Sequence, residues 1–100
     1  MKQAEMFDGA DLGVPRPSLA KARDLVAEIE AHLEDEDQFD YLARSERLAQ
    51  RAKHLGAYSV ARVLLWASHP AFFDKYGFET VDIEVERVAV RWLRRQELKR

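Results

Sequence analysis

The sequence predicts an all-α fold, a compact four-helix bundle with an irregular N-terminal arm. Its 100 residues include only four glycines and three prolines, so a few long helices are favoured over many short strands. Apolar residues recur at steps of three and four along most of the chain, which is the spacing of one helix face. The stretch from Leu48 to Leu65 is typical of two helices joined at Gly56, with small residues where the helices would touch.

Composition is that of one globular domain, with 47% hydrophobic and 34% charged residues. A net charge of -2, from 18 acidic and 16 basic residues, neither indicates nor excludes a nucleic-acid partner. The chain has no cysteine, which excludes disulfides and thiolate metal sites and fits a reducing compartment. No leader is recognisable, and no apolar run approaches the ~18 residues of a membrane span. We therefore expect a cytoplasmic protein with no membrane partner.

Glycine and proline divide the chain into two parts. Gly9, Gly13, Pro15 and Pro17 interrupt the first segment too often for a long helix. The prediction is an N-terminal arm over 1–17 and a helical bundle domain over 18–100.

The first two helices are predicted on either side of an acidic corner. Ser18 is a plausible N-cap for a helix that runs to about Glu34. The four carboxylates from Glu34 to Asp37 disfavour its continuation and are expected to lie in solvent. The second helix is predicted from Asp37 to Leu55, with Phe39 facing inward. Gly56 is expected to end this helix by adopting a left-handed backbone conformation, a left-handed stop.

The second half of the chain predicts two more helices and a short helical turn between them. A largely apolar helix over 57–68 ends before Pro70. A short helical turn over 70–76 is closed by Gly77. The last segment also alternates as a strand would, but a lone strand would have no partner, so a helix capped by Thr80 is favoured.

Candidate catalytic and metal-binding residues are few. The histidines, His32, His54 and His69, are interpreted as surface or capping residues, because they lack the convergent carboxylates of a metal site in a helical bundle. No serine lies in a glycine-flanked nucleophile turn, and no glycine-rich phosphate loop is present. We therefore expect no enzymatic activity and no metal or cofactor.

Two surfaces remain as candidates for binding. Aromatic residues are concentrated between the last two helices, and Trp66, Phe72, Phe73 and Tyr76 are the predicted contacts with another protein or a second copy of this chain. The leading hypothesis is a small protein-binding regulator, inhibitor or adaptor. The alternative is a nucleic-acid-associated protein that uses the arginines of the last helix. These are Arg87, Arg91, Arg94 and Arg95.

Two partial resemblances accompany these predictions. The central hairpin resembles one tetratricopeptide unit, through Leu48, Ala49, Ala52, Gly56, Tyr58, Ala61 and Leu65. Ser45 replaces the expected large aromatic, Phe73 replaces the closing proline, and there is no second copy, so shared hairpin packing explains the likeness. The four-helix outline is also similar to a histidine-phosphotransfer domain, but Glu46 stands where the phosphorylated histidine would be. Neither family is assigned.

Overall fold

The computed structural model describes residues 17–35, 37 and 39–99, and it places them in four helices. These are α1 (Leu19–Glu34), α2 (Tyr41–His54), α3 (Tyr58–Ala67) and α4 (Pro70–Leu98). Helix α1 packs against α2 and α4, and α3 packs against the same two helices. The predicted all-α four-helix bundle is confirmed, whereas the predicted arm over 1–17 lies, except for Pro17, outside the described residues.

Helix α1 begins where the sequence predicts. Ser18 has an extended backbone, and its hydroxyl accepts a hydrogen bond from the Lys21 amide at 3.1 Å, which satisfies one of the free donors at the helix start. The buried face follows steps of three and four. It consists of Ala22, Leu25, Val26, Ile29 and His32.

Helix α2 begins at Tyr41, later than the predicted Asp37. The carboxylate of Asp35 accepts from the Asp37 amide at 2.8 Å, and that of Asp37 accepts from the Phe39 amide at 3.0 Å. Such side-chain bonds to the local backbone stabilise turns in competition with a helix. The prediction that Phe39 faces inward is wrong, since 94% of this residue is exposed.

The α2–α3 connection is a close-packed hairpin. Gly56 has φ 79°, and its amide donates to Lys53 while the Ala57 amide donates to Ala52. This is the Schellman pattern, and it confirms the predicted left-handed stop at Gly56. Four small residues are buried along the contact between the helices, which lets them approach closely. They are Ala49, Ala52, Ala57 and Ala61.

Helix α4 contains a sharp break at Gly77, where φ is 83° and ψ is 156°. Pro70 starts the first part, which matches the predicted short turn over 70–76. The second part already includes Thr80, so the prediction that Thr80 caps the last helix is wrong. The strand alternative is also wrong, because one helical face is buried in the core. That face consists of Val81, Val85, Ala89, Trp92 and Gln96. No helix in the described part of the chain has both the length and the apolarity to cross a bilayer.

Candidate functional site

Three of the four predicted contact aromatics meet on the surface where α3 leads into α4. The Trp66 ring lies 5.1 Å from the Phe72 ring and 5.9 Å from the Tyr76 ring, measured between centroids. Phe72 and Tyr76 are stacked at 6.3 Å with 18° between their planes. These distances are within the range of favourable aromatic pairs.

This cluster is partly open to solvent. Tyr76 is 44% exposed. Trp66 also packs against the core, which anchors the cluster to α3. We name Trp66, Phe72 and Tyr76 the aromatic face.

Phe73 is not part of the aromatic face. Its ring lies 4.3 Å from that of Phe78 and 5.1 Å from that of Tyr41, in a second cluster that joins α2 to α4. The structure therefore divides the predicted set of four aromatics between two clusters.

Tyr41 lies at the centre of this second cluster. It is 2% exposed, and its hydroxyl donates a hydrogen bond to Asp82 of α4. Burial and the nearby Asp82 carboxylate raise the pKa of Tyr41, so the phenol keeps its proton. Burial also raises the pKa of Asp82, although the hydrogen bond from Tyr41 opposes that effect. The Tyr41–Asp82 pair thus links two helices through a partly buried hydrogen bond.

His32 lies beside Tyr41, with 4.5 Å between the ring centroids, and it is 5% exposed. The prediction that the histidines are surface or capping residues is therefore wrong for His32, while His54 and His69 are exposed. His32 follows Ile29 by three residues, so it continues the buried face of α1. That spacing was the signal in the sequence.

Both nitrogens of His32 have partners. Arg44 donates from Nε to Nδ1 at 3.0 Å, and Nε2 lies 2.9 Å from the Ser45 hydroxyl oxygen. Arginine can only donate, so Nδ1 accepts and Nε2 of the neutral ring carries the proton that it donates to Ser45. Burial, with the charges of Arg44 and Arg47, lowers the pKa of His32 to about 4.

This geometry has a chemical consequence for the His32–Ser45 pair. A histidine that activates a serine must accept the hydroxyl proton. Here the imidazole donates to Ser45, and Ser45 is fully buried. The pair therefore joins α1 to α2 as a structural contact.

The predicted basic surface lies on α4, with all four arginines exposed. Arg87 donates to Glu84, and this bond lowers the pKa of Glu84, so the two charges offset each other. Arg95 lies 3.5 Å from the Ser59 hydroxyl. Within the described part of the chain, Arg91, Arg94 and Arg95 form no ion pair.

No group of three histidine or carboxylate side chains in the described ranges is arranged to hold a metal ion. No family model matches the chain, and comparisons with curated proteins and with solved structures likewise give no match. The tetratricopeptide and phosphotransfer likenesses therefore stay resemblances in the sequence.

Proposed function

We propose that this protein is a non-catalytic binding module that associates with another protein through the aromatic face, and that a second copy of the chain is the simplest partner. The observation that carries the proposal is the grouping of Trp66, Phe72 and Tyr76 in one partly exposed cluster. Aromatic anchors in contiguous apolar patches are typical of protein interfaces.

The position of the rings supports this proposal. Trp66 is held against the core, so it would lose little conformational freedom on binding. The Lys75 ammonium lies 5.3 Å from the Tyr76 ring centroid, which places a cation at the edge of the apolar patch. An apolar centre with a polar edge is the usual arrangement of an interface.

The absence of cysteine fits a reducing compartment, so we expect the interaction to take place in the cytoplasm.

The nucleic-acid alternative has less support. Glu84 offsets the charge of Arg87, and Glu97 lies 3.3 Å from Arg23 on the same part of the bundle. A phosphate backbone approaching this surface would therefore meet both signs of charge, which weakens electrostatic binding.

The test compares a truncation on the aromatic face with a truncation of an exposed apolar residue elsewhere. Tyr76→Ser changes the aromatic face, and Ile83→Ser changes an apolar side chain on α4 that is 61% exposed. Sedimentation equilibrium over a concentration series should show that wild type and Ile83→Ser dimerise alike. The Tyr76→Ser dimer should dissociate about ten- to thirtyfold more readily, since truncation of a central anchor costs about 1–2 kcal/mol.

A partner other than a second copy is tested by tagging the protein in its native source. Wild type and Ile83→Ser should then recover the same protein, at a yield that falls in Tyr76→Ser. The proposal fails if the wild type is monomeric at every concentration and all variants recover the same proteins at equal yield.

A further inference from the structure

A groove with three arginines runs between α1 and α2, on a different part of the bundle from the aromatic face. Its volume is about 460 Å³, which is within the size range of small-molecule sites. Arg44, Arg47 and Arg51 line one wall, at the spacing of one helix face. The complete lining is Glu28, Ala31, His32, Asp35, Arg44, Arg47, Leu48 and Arg51.

Arg44 is held in a fixed orientation in this wall. Its Nε donates to His32 at 3.0 Å, and its Nη2 donates to the Asp37 carbonyl at 3.1 Å. Its side chain is only 19% exposed, and Nη1 forms a long ion pair of 3.9 Å with the Asp35 carboxylate. That distance is too long for a hydrogen bond, so Nη1 can still donate a hydrogen bond to an anion.

Arg47 supplies the second charge. It is exposed, and within the described part of the chain it forms no ion pair or side-chain hydrogen bond. It still lies near enough to His32 for its charge to act on that ring. Arg51, by contrast, is paired with Glu28. Three arginines face two carboxylates, so the lining carries a formal excess of one positive charge while His32 is neutral.

The groove also has an apolar portion, to which Ala31 and Leu48 contribute. We propose that the α1–α2 groove binds a small organic anion, a carboxylate or phosphate attached to an apolar body. Arg44 and Arg47 bind the charged group, and the apolar body packs against Ala31 and Leu48. This site is independent of the aromatic face, so either assignment can fail alone.

The experiment is a titration of the full chain followed by NMR of the Ala31 and Leu48 methyl groups. The probes are phenyl phosphate, benzoate, inorganic phosphate and benzyl alcohol. Saturable shifts of both methyl signals with phenyl phosphate or benzoate, and much weaker binding of the other two, support the proposal. The tighter of the two aromatic anions identifies the preferred charged group.

Arg47→Gln is the informative variant, because Arg47 is exposed and its loss should leave the fold intact. It should weaken binding of the preferred anion at least about tenfold, the effect of losing one charge-assisted hydrogen bond. Arg62→Gln, a change at an exposed arginine of α3, should bind as wild type does. The proposal is overturned if neither aromatic anion gives saturable shifts, if benzyl alcohol binds equally well, or if Arg47→Gln binds like Arg62→Gln.

Discussion

Acidification should destabilise this protein through His32. The imidazole has an ordinary pKa of 6.5, and in the folded bundle burial and two neighbouring arginines lower that pKa to about 4. Between these values the unfolded chain binds a proton that the folded chain does not. The contribution of His32 to the free energy of unfolding is therefore fully present above pH 6.5. It is lost as the pH falls towards 4 and stays lost below that.

The size of the effect follows from the difference between the two pKa values. By linkage, the free energy of unfolding falls by about 1.4 kcal/mol at pH 5.5 and by about 2.5 kcal/mol at pH 4.5, relative to neutral pH. A domain of this size is typically stable by only about 5–15 kcal/mol, so a loss of that size is easily measured.

The assay is urea unfolding at pH 7.5, 5.5 and 4.5, applied to wild type and His32→Gln. Glutamine can accept from Arg44 and donate to Ser45, but it cannot take up a proton. The free-energy difference between the two proteins should therefore shift by about 2.5 kcal/mol in favour of the variant between pH 7.5 and 4.5. His54→Gln and His69→Gln, at exposed positions, serve as controls for the loss of a histidine elsewhere in the chain. Parallel pH curves for wild type and His32→Gln would show that His32 does not titrate as described.

Two further predictions concern the interior and the break in α4. Tyr41→Phe removes the hydroxyl that donates to the partly buried Asp82 carboxylate. We expect urea unfolding at pH 7 to show that the free energy of unfolding falls by about 1–2 kcal/mol. An unchanged stability would mean that water replaces the hydroxyl without cost. Gly77→Ala should lower the free energy of unfolding by about 1–3 kcal/mol in the same assay. The reason is that φ 83° with ψ 156° is a backbone conformation that essentially only glycine adopts. A Cβ at Gly77 would meet no atom within 4 Å, so a neutral result would refute the backbone explanation directly.

The parts of the fold that the sequence predicts correctly are those determined by local interactions. Ser18 caps α1 with its own hydroxyl, and Gly56 ends the α2 region through its own left-handed backbone. The start of α2 was misplaced because the side chains of Asp35 and Asp37 bond to nearby amides. Carboxylates favour a helix start and a turn alike, and only the structure shows which arrangement is adopted.

The candidate site was predicted only in part, for a geometric reason. Phe72 and Phe73 are consecutive on a helix, so they point in directions about 100° apart. Phe72 reaches the surface beside Trp66, whereas Phe73 turns towards Tyr41. In the sequence, Phe72 and Phe73 belong to the same stretch of concentrated aromatic residues, so the prediction placed both on one surface. The His32 contacts could not be predicted, because Arg44 and Ser45 reach this ring only through the packing of α1 on α2.

His32 and the arginine groove form one electrostatic unit, so their tests have to be separable. Arg44 hydrogen-bonds the buried ring and also faces the groove, so its removal would change stability and binding together. Arg47 influences His32 only through its charge. An anion bound between Arg44 and Arg47 would offset the charges that keep His32 neutral, and by linkage protonation of His32 would strengthen binding by the same factor. Arg47→Gln is therefore the change that weakens the proposed site while leaving the hydrogen bonds of the core in place.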